Sequence, residues 1–175
     1  SGLASGSYGV GVALGGTSSD LKTGTGYAVL LGNSGSTDAV RLVAFNGGLD
    51  GSATLIASHA DFGSDHLSIG VTFDPTTDTW NLYVRDDGSN FASPTGITST
   101  TSVGSGVNST YTSNDLKYLG AYWAHATGTS DDSEFDNFHI PSISTAPTVS
   151  FSATTSAVNE ANSGTTTHTV EVTMS

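Results

Sequence analysis

The stretch His66–Gly88, HLSIGVTFDPTTDTWNLYVRDDG, limits what this chain can fold into more than any other. Leu67, Ile69, Val71 and Phe73 alternate with polar or small residues, and beyond DPTTDT the alternation resumes with Trp80, Leu82 and Val84. A period of two marks an extended strand with one covered face, and proline in the second place of DPTTDT suits a type I turn. The unit reads as an antiparallel β-hairpin whose apolar face needs a second layer to cover it. Trp80 is expected in the core, with Tyr83 pointing the other way.

Similar short segments precede it: Tyr8–Leu14, Gly26–Gly32, Ala39–Phe45 and Ala53–Ser58. In Ala39–Phe45, Val40, Leu42 and Ala44 fall on one face, and Arg41, Val43 and Phe45 on the other. Apolar groups on both sides predict an interior strand of a sandwich, not an edge. Residues Gly88–Asn114, rich in Ser, Thr and Gly, read either as a long loop or as short strands seeded by Ile97 and Val103. Leu116–Pro141, LKYLGAYWAHATGTSDDSEFDNFHIP, reads as two strands, LKYLGAYWAH and SEFDNFHIP, joined by the acidic loop ATGTSDD. Helix formers are scarce while 22 glycines are available for turns and bulges. The expected fold is all-β: eight or nine strands in a two-sheet antiparallel jelly-roll sandwich spanning 1–141. Residues 142–147, SISTAP, read as a linker. Residues 148–175 hold two alternating strands, TVSFSATT and THTVEVTM, which cannot form a domain by themselves. The chain opens on SGLASGSYGVG without methionine, which suggests a processed protein or a fragment.

The four cationic side chains are outnumbered by sixteen acids, giving a formal charge of −12. Nucleic-acid binding needs clustered Lys and Arg to neutralise phosphates, so that class is excluded, and anionic membrane surfaces are disfavoured for the same reason. No apolar run approaches the roughly 20 residues that span a bilayer, so membrane insertion is not expected. Cysteine is absent, which removes disulfides and thiolate chemistry.

The segments GYAVLLG, VRLVAFNGGL, TFDPTTDTWNLYVRDDG and YLGAYWAHATGTSDDSEFDNFHI resemble the laminin-G or concanavalin-A-like jelly rolls of bacterial multidomain surface proteins, over about residues 8–141. The tail, PTVSFSATTSAVNEANSGTTTHTVEVTM, is similar to the opening of a Calx-beta domain through its SFS, VNE and THTVEV phrases. These resemblances imply a secreted or cell-surface bacterial protein. They also imply a structural Ca²⁺, a hard ion that takes carboxylate and carbonyl oxygens. Asp136 stands where the fold family often places a ligand near the end of the domain, Asp131 and Asp132 are second choices, and Glu160 matches a Calx-beta ligand whose usual acidic companions are missing here.

Lectin-like modules grip sugars by laying an aromatic ring on the apolar face of a pyranose. Tyr111, Tyr122 and Trp123 are the candidates. Tyr122 and Trp123 are adjacent in a strand and face opposite ways, so at most one of them serves while the other packs. The alternative use of Glu134 and Asp136, as part of the E-x-D-x-E or E-x-D-x-x-E motif of jelly-roll glycosidases, lacks its third acid: Phe138 and His139 occupy the places where it would fall. Retention needs two carboxyl groups about 5 Å apart, and Glu160 and Glu171 are the only other glutamates. A non-catalytic module is therefore expected. The five histidines lack metal-binding spacing, although His59 and His66 bracket Asp61 and Asp65 in HADFGSDH. Two functions follow: a glycan-binding module stabilised by Ca²⁺, or a subunit of an extracellular fibre that joins copies of itself by strand addition through residues 148–175.

Overall fold

The computed structural model describes residues 9–32, 39–59, 66–124 and 132–140, and the backbone of 149–151 and 172–174. The larger of two compact units, Ser1–His139, has eight strands among the described residues: β1 (Gly9–Gly16), β2 (Thr25–Leu31), β3 (Val40–Asn46), β4 (Ser52–His59), β5 (His66–Asp74), β6 (Thr79–Gly88), β7 (Gly104–Val107) and β8 (Tyr118–Ala124). They form two antiparallel sheets, one ordered β4-β3-β2-β1-β8 and one ordered β5-β6-β7. The fold is an all-β two-sheet sandwich in which the chain meanders through β1–β4, crosses to β5–β7, and returns so that β8 pairs with β1.

The predicted hairpin forms in full, with Phe73 opposite Trp80 and Val71 opposite Leu82. Leu67, Ile69, Val71, Phe73 and Val84 pack with Trp80 and Leu82 against Tyr27, Val29, Val40, Leu42 and Ala44 of the other sheet. Tyr27 and Trp80 lie 4.3 Å apart between ring centres, and Phe73 sits 4.4 Å from Trp80. Covering each such side chain contributes about 1.5–3 kcal/mol. The Trp80 indole donates to the Asn108 carbonyl at 2.9 Å, and the Tyr27 hydroxyl donates to Asn108 Oδ1 while accepting the Tyr111 N–H.

The five-stranded sheet is covered on its outer face too. Ala28, Leu30, Val43 and Phe45 lie under Leu49 and Leu21, which reach over from the turns after β3 and β1. The turns are tied to each other: Leu49 N–H donates to the Leu21 carbonyl, and Gly47 and Gly48 both donate to that of Gly24. Gly48 is required there, because a Cβ would fall 2.1 Å from the Lys22 backbone carbon. The expectation of an interior strand at β3 thus holds: Val40 and Leu42 face one core, and Val43 and Phe45 the other.

Residues between β6 and β8 resolve the two readings of Gly88–Asn114. Ile97 opens a single 3-10 turn, Ile97–Ser99, and is buried against Gly70 of β5. Val103 precedes the short strand β7. The segment is held by Asp87, whose side chain is 1% exposed and bonds Arg85 Nε at 2.6 Å. Ser68 Oγ donates to the same carboxylate, and the Arg85 guanidinium reaches on to the Ser93 carbonyl.

One expectation is overturned. SEFDNFHIP forms no strand: Asp132–Ile140 has no regular secondary structure. Asn137 adopts φ 53°, and its backbone N–H donates to the Asp136 carboxylate at 2.7 Å, a local turn that breaks extended geometry. Phe135 and Phe138 stack with ring centres 6.4 Å apart, whereas residues three apart in a strand project from opposite faces.

The second unit, Ile140–Ser175, contains β9 (Val149–Phe151) and β10 (Val172–Met174), paired antiparallel as a two-stranded sheet.

Candidate functional site

Among the described residues the two sheets approach each other most closely at β4 and β7. Gly104 and Gly106 of β7 lie against Ile56, Ala57 and Ser58 of β4, and a Cβ on Gly106 would fall 2.3 Å from the Ile56 carbonyl oxygen. With β7 fixed opposite β4, the three-stranded sheet ends before the five-stranded one does. Among the described residues no strand lies over β8 or the adjoining part of β1.

Register assigns the side chains there. Tyr122 is opposite Gly11, and a Cβ on Gly11 would meet Leu30 and Leu49, so this pair faces the outer cluster. Trp123 is opposite Val10 and Ala121 opposite Val12; directly opposed residues share a face, so these four, with Leu119, face inward. None of them belongs to the sealed core. Leu119 is 47% exposed and Trp123 36%, and Ala121 is exposed as well. The result is an apolar stripe, exposed to solvent at Leu119 and Ala121.

The two adjacent aromatics separate as their positions require. Tyr122 packs on the outer cluster and its hydroxyl donates to Asp50 at 2.9 Å. Burial, then the Asp50 carboxylate, push its phenol up to about 12. Trp123 is the more exposed of the two tryptophans. Tyr111 lies elsewhere, half-buried beside the core with its ring edge-on to Tyr27 at 6.0 Å. The three aromatic candidates therefore do not converge: of them, Trp123 shares the face of Leu119 and Ala121.

Asp136 is exposed and its carboxylate is taken by Asn137, through the backbone N–H and Nδ2. Among the described residues no three His, Cys, Asp or Glu side chains gather into a metal-binding group. Asp131 and Glu160 lie outside the described residues, as do Asp61 and Asp65. Sequence reasoning passed over Asp50, Ser68 and Asp87, whose roles depend on partners distant in the chain; Leu49 inside the turn NGGLDG was the one available signal.

The fold defines a class, an all-β sandwich of two antiparallel sheets. Comparison with known families, curated proteins and solved structures finds no match to this chain. No helix of the described residues is long and apolar enough to cross a membrane.

Proposed function

We propose that this chain is a non-catalytic binding module of a secreted or cell-surface bacterial protein, and that a neutral glycan is its ligand. The observation that carries this reading is the Leu119–Ala121–Trp123 stripe, where a partly exposed indole is flanked by small and aliphatic groups on a rigid strand. A pyranose presents an apolar face to such a ring, and a chain of charge −12 repels anionic polysaccharides. Binding to a panel of immobilised neutral polysaccharides tests it: Trp123→Ala abolishes retention while Tyr111→Phe does not. Absence of retention on every member of the panel sinks the reading. The Ca²⁺ component rests on the resemblance, through Asp136, Asp131, Asp132 and Glu160, and its test is a melting temperature that falls on adding EDTA.

A second reading, a fibre subunit built by strand addition, is favoured by β9 and β10. These pair only with each other among the described residues, and an isolated pair of strands is marginal in water.

A further inference from the structure

We propose that Asn46–Gly47 is a site of spontaneous covalent modification, and that its conversion to isoaspartate irreversibly releases the turn that covers the outer face of the larger sheet.

Asn46–Gly47 is the one Asn-Gly pair in the chain. It stands where β3 ends and the turn to β4 begins, with Asn46 exposed and Gly47 and Gly48 both at positive φ, 76° and 84°. Among the described residues the Asn46 carboxamide makes no hydrogen bond; Ser52 Oγ donates to the main-chain oxygen instead. A Cβ on Gly47 would meet nothing within 4 Å, so no side chain stands over the Gly47 nitrogen on that side. That nitrogen can attack Asn46 Cγ. The new C–N bond closes a five-membered succinimide, and the side-chain nitrogen leaves as ammonia with the Gly47 proton. Water then opens the ring at either carbonyl, giving aspartate or isoaspartate.

In the folded chain a latch holds this reaction back. The Gly47 N–H donates to the Gly24 carbonyl at 2.8 Å, beside that of Gly48 at 2.9 Å. Asn46 is kept extended by its pairing with Thr25 and Ser52. Ring closure requires the bond to open and Asn46 to turn, so only locally opened molecules react. The product cannot be latched again. Isoaspartate routes the main chain through the former side chain and lengthens it by a methylene. Gly48 already lies so close to Lys22 that a single Cβ would fall 2.1 Å from its backbone carbon. Leu49, fully buried over Ala28, Leu30, Val43 and Phe45, is drawn off with the turn, and Asp50 is drawn away from Tyr122.

Peptide mapping by mass spectrometry on the full chain, held in mildly alkaline buffer with and without urea, tests the proposal. The acid is expected at residue 46 in both, forming at least about tenfold more slowly in the folded protein. Leu49→Ala loosens the turn and leaves Asn46–Gly47 intact; it should raise the folded rate about tenfold without changing the rate in urea. Ile97→Ala, a comparable loss of buried surface on the smaller sheet, should leave both rates unchanged, which separates local release from a general loss of stability. The isolated isoaspartate form should show faster hydrogen exchange at residues 47–51 and unchanged exchange in β5 and β6. Equal rates with and without urea, no acid at residue 46 in the folded protein, or a Leu49→Ala rate no higher than that of Ile97→Ala overturns the latch. Wild-type exchange at residues 47–51 in the isoaspartate form overturns the release.

Discussion

The Tyr122 hydroxyl donates to the Asp50 carboxylate at 2.9 Å, joining the last strand of the sandwich to the turn after β3 across 72 residues of sequence. Edge strand β8 is thereby held from behind while Trp123, the next residue, is presented on the other face. The bond also places a phenol beside a negative charge, which gives it a titration signature. Because the folded pKa, about 12, lies above the ordinary 10.0, this contribution to stability is complete below pH 10 and is lost as pH rises toward 12. Tyr122→Phe should cost about 1 kcal/mol at neutral pH and flatten the alkaline decline. Tyr27, also raised by burial, supplies the remaining slope. Urea midpoints of both proteins from pH 8 to 11.5 check this; parallel curves would count against it.

Gly106 permits β7 to touch β4, and the cost of a side chain there is steric. Gly106→Ala should destabilise by about 1–3 kcal/mol, as overpacking does, because the atom in the way is the Ile56 backbone oxygen. Gly120, whose Cβ would meet nothing nearer than Leu21 Cδ1 at 3.4 Å, should accept alanine with a change within about 0.5 kcal/mol. Equal losses at the two positions in urea titrations would show that the sheets are not in close contact at β4 and β7.

Asp87 pins the segment that covers the outer face of the smaller sheet. Arg85 first, then Ser68 and the Ala92 N–H, lower its pKa against the opposing effect of burial. Its stabilising contribution is therefore present above the ordinary carboxylate value of 3.8 and is lost as pH falls through the lower folded value. Asp87→Ala should cost about 1–3 kcal/mol by leaving Ser68 and Arg85 without their shared acceptor. It should also raise hydrogen exchange across residues 89–100 more than in β2 or β3. Uniform exchange changes would contradict this local role.

Two tryptophans in different surroundings predict distinct fluorescence. With Trp80 as the sole tryptophan (Trp123→Phe), emission should be blue-shifted and resistant to acrylamide, because the indole is 7% exposed. With Trp123 alone (Trp80→Phe), emission should be red-shifted and readily quenched. Indistinguishable spectra would remove the open stripe from consideration.

Much of the fold was legible because alternation is local. The hairpin of β5 and β6, the inward placing of Trp80, the two-faced burial of β3 and the opposite directions of Tyr122 and Trp123 all follow from a period of two. SEFDNFHIP misled because its composition suits a strand while Asp136 and Asn137 favour a turn, and the side-chain bond within that pair prevails. The candidate site was legible only at Trp123. Tyr111 carries the same chemistry, but an exposed loop residue and one folded back against Tyr27 read alike in sequence.

Alternating side chains and abundant glycine thus settled from sequence alone that this is an all-β, two-layered chain. Which face of each strand is sealed, and where the layers fail to overlap, was decided by the tertiary structure. A period of two defines two faces without saying which is covered, and coverage depends on distant partners: Leu49 over Leu30, Gly106 against Ile56, and three strands set opposite five.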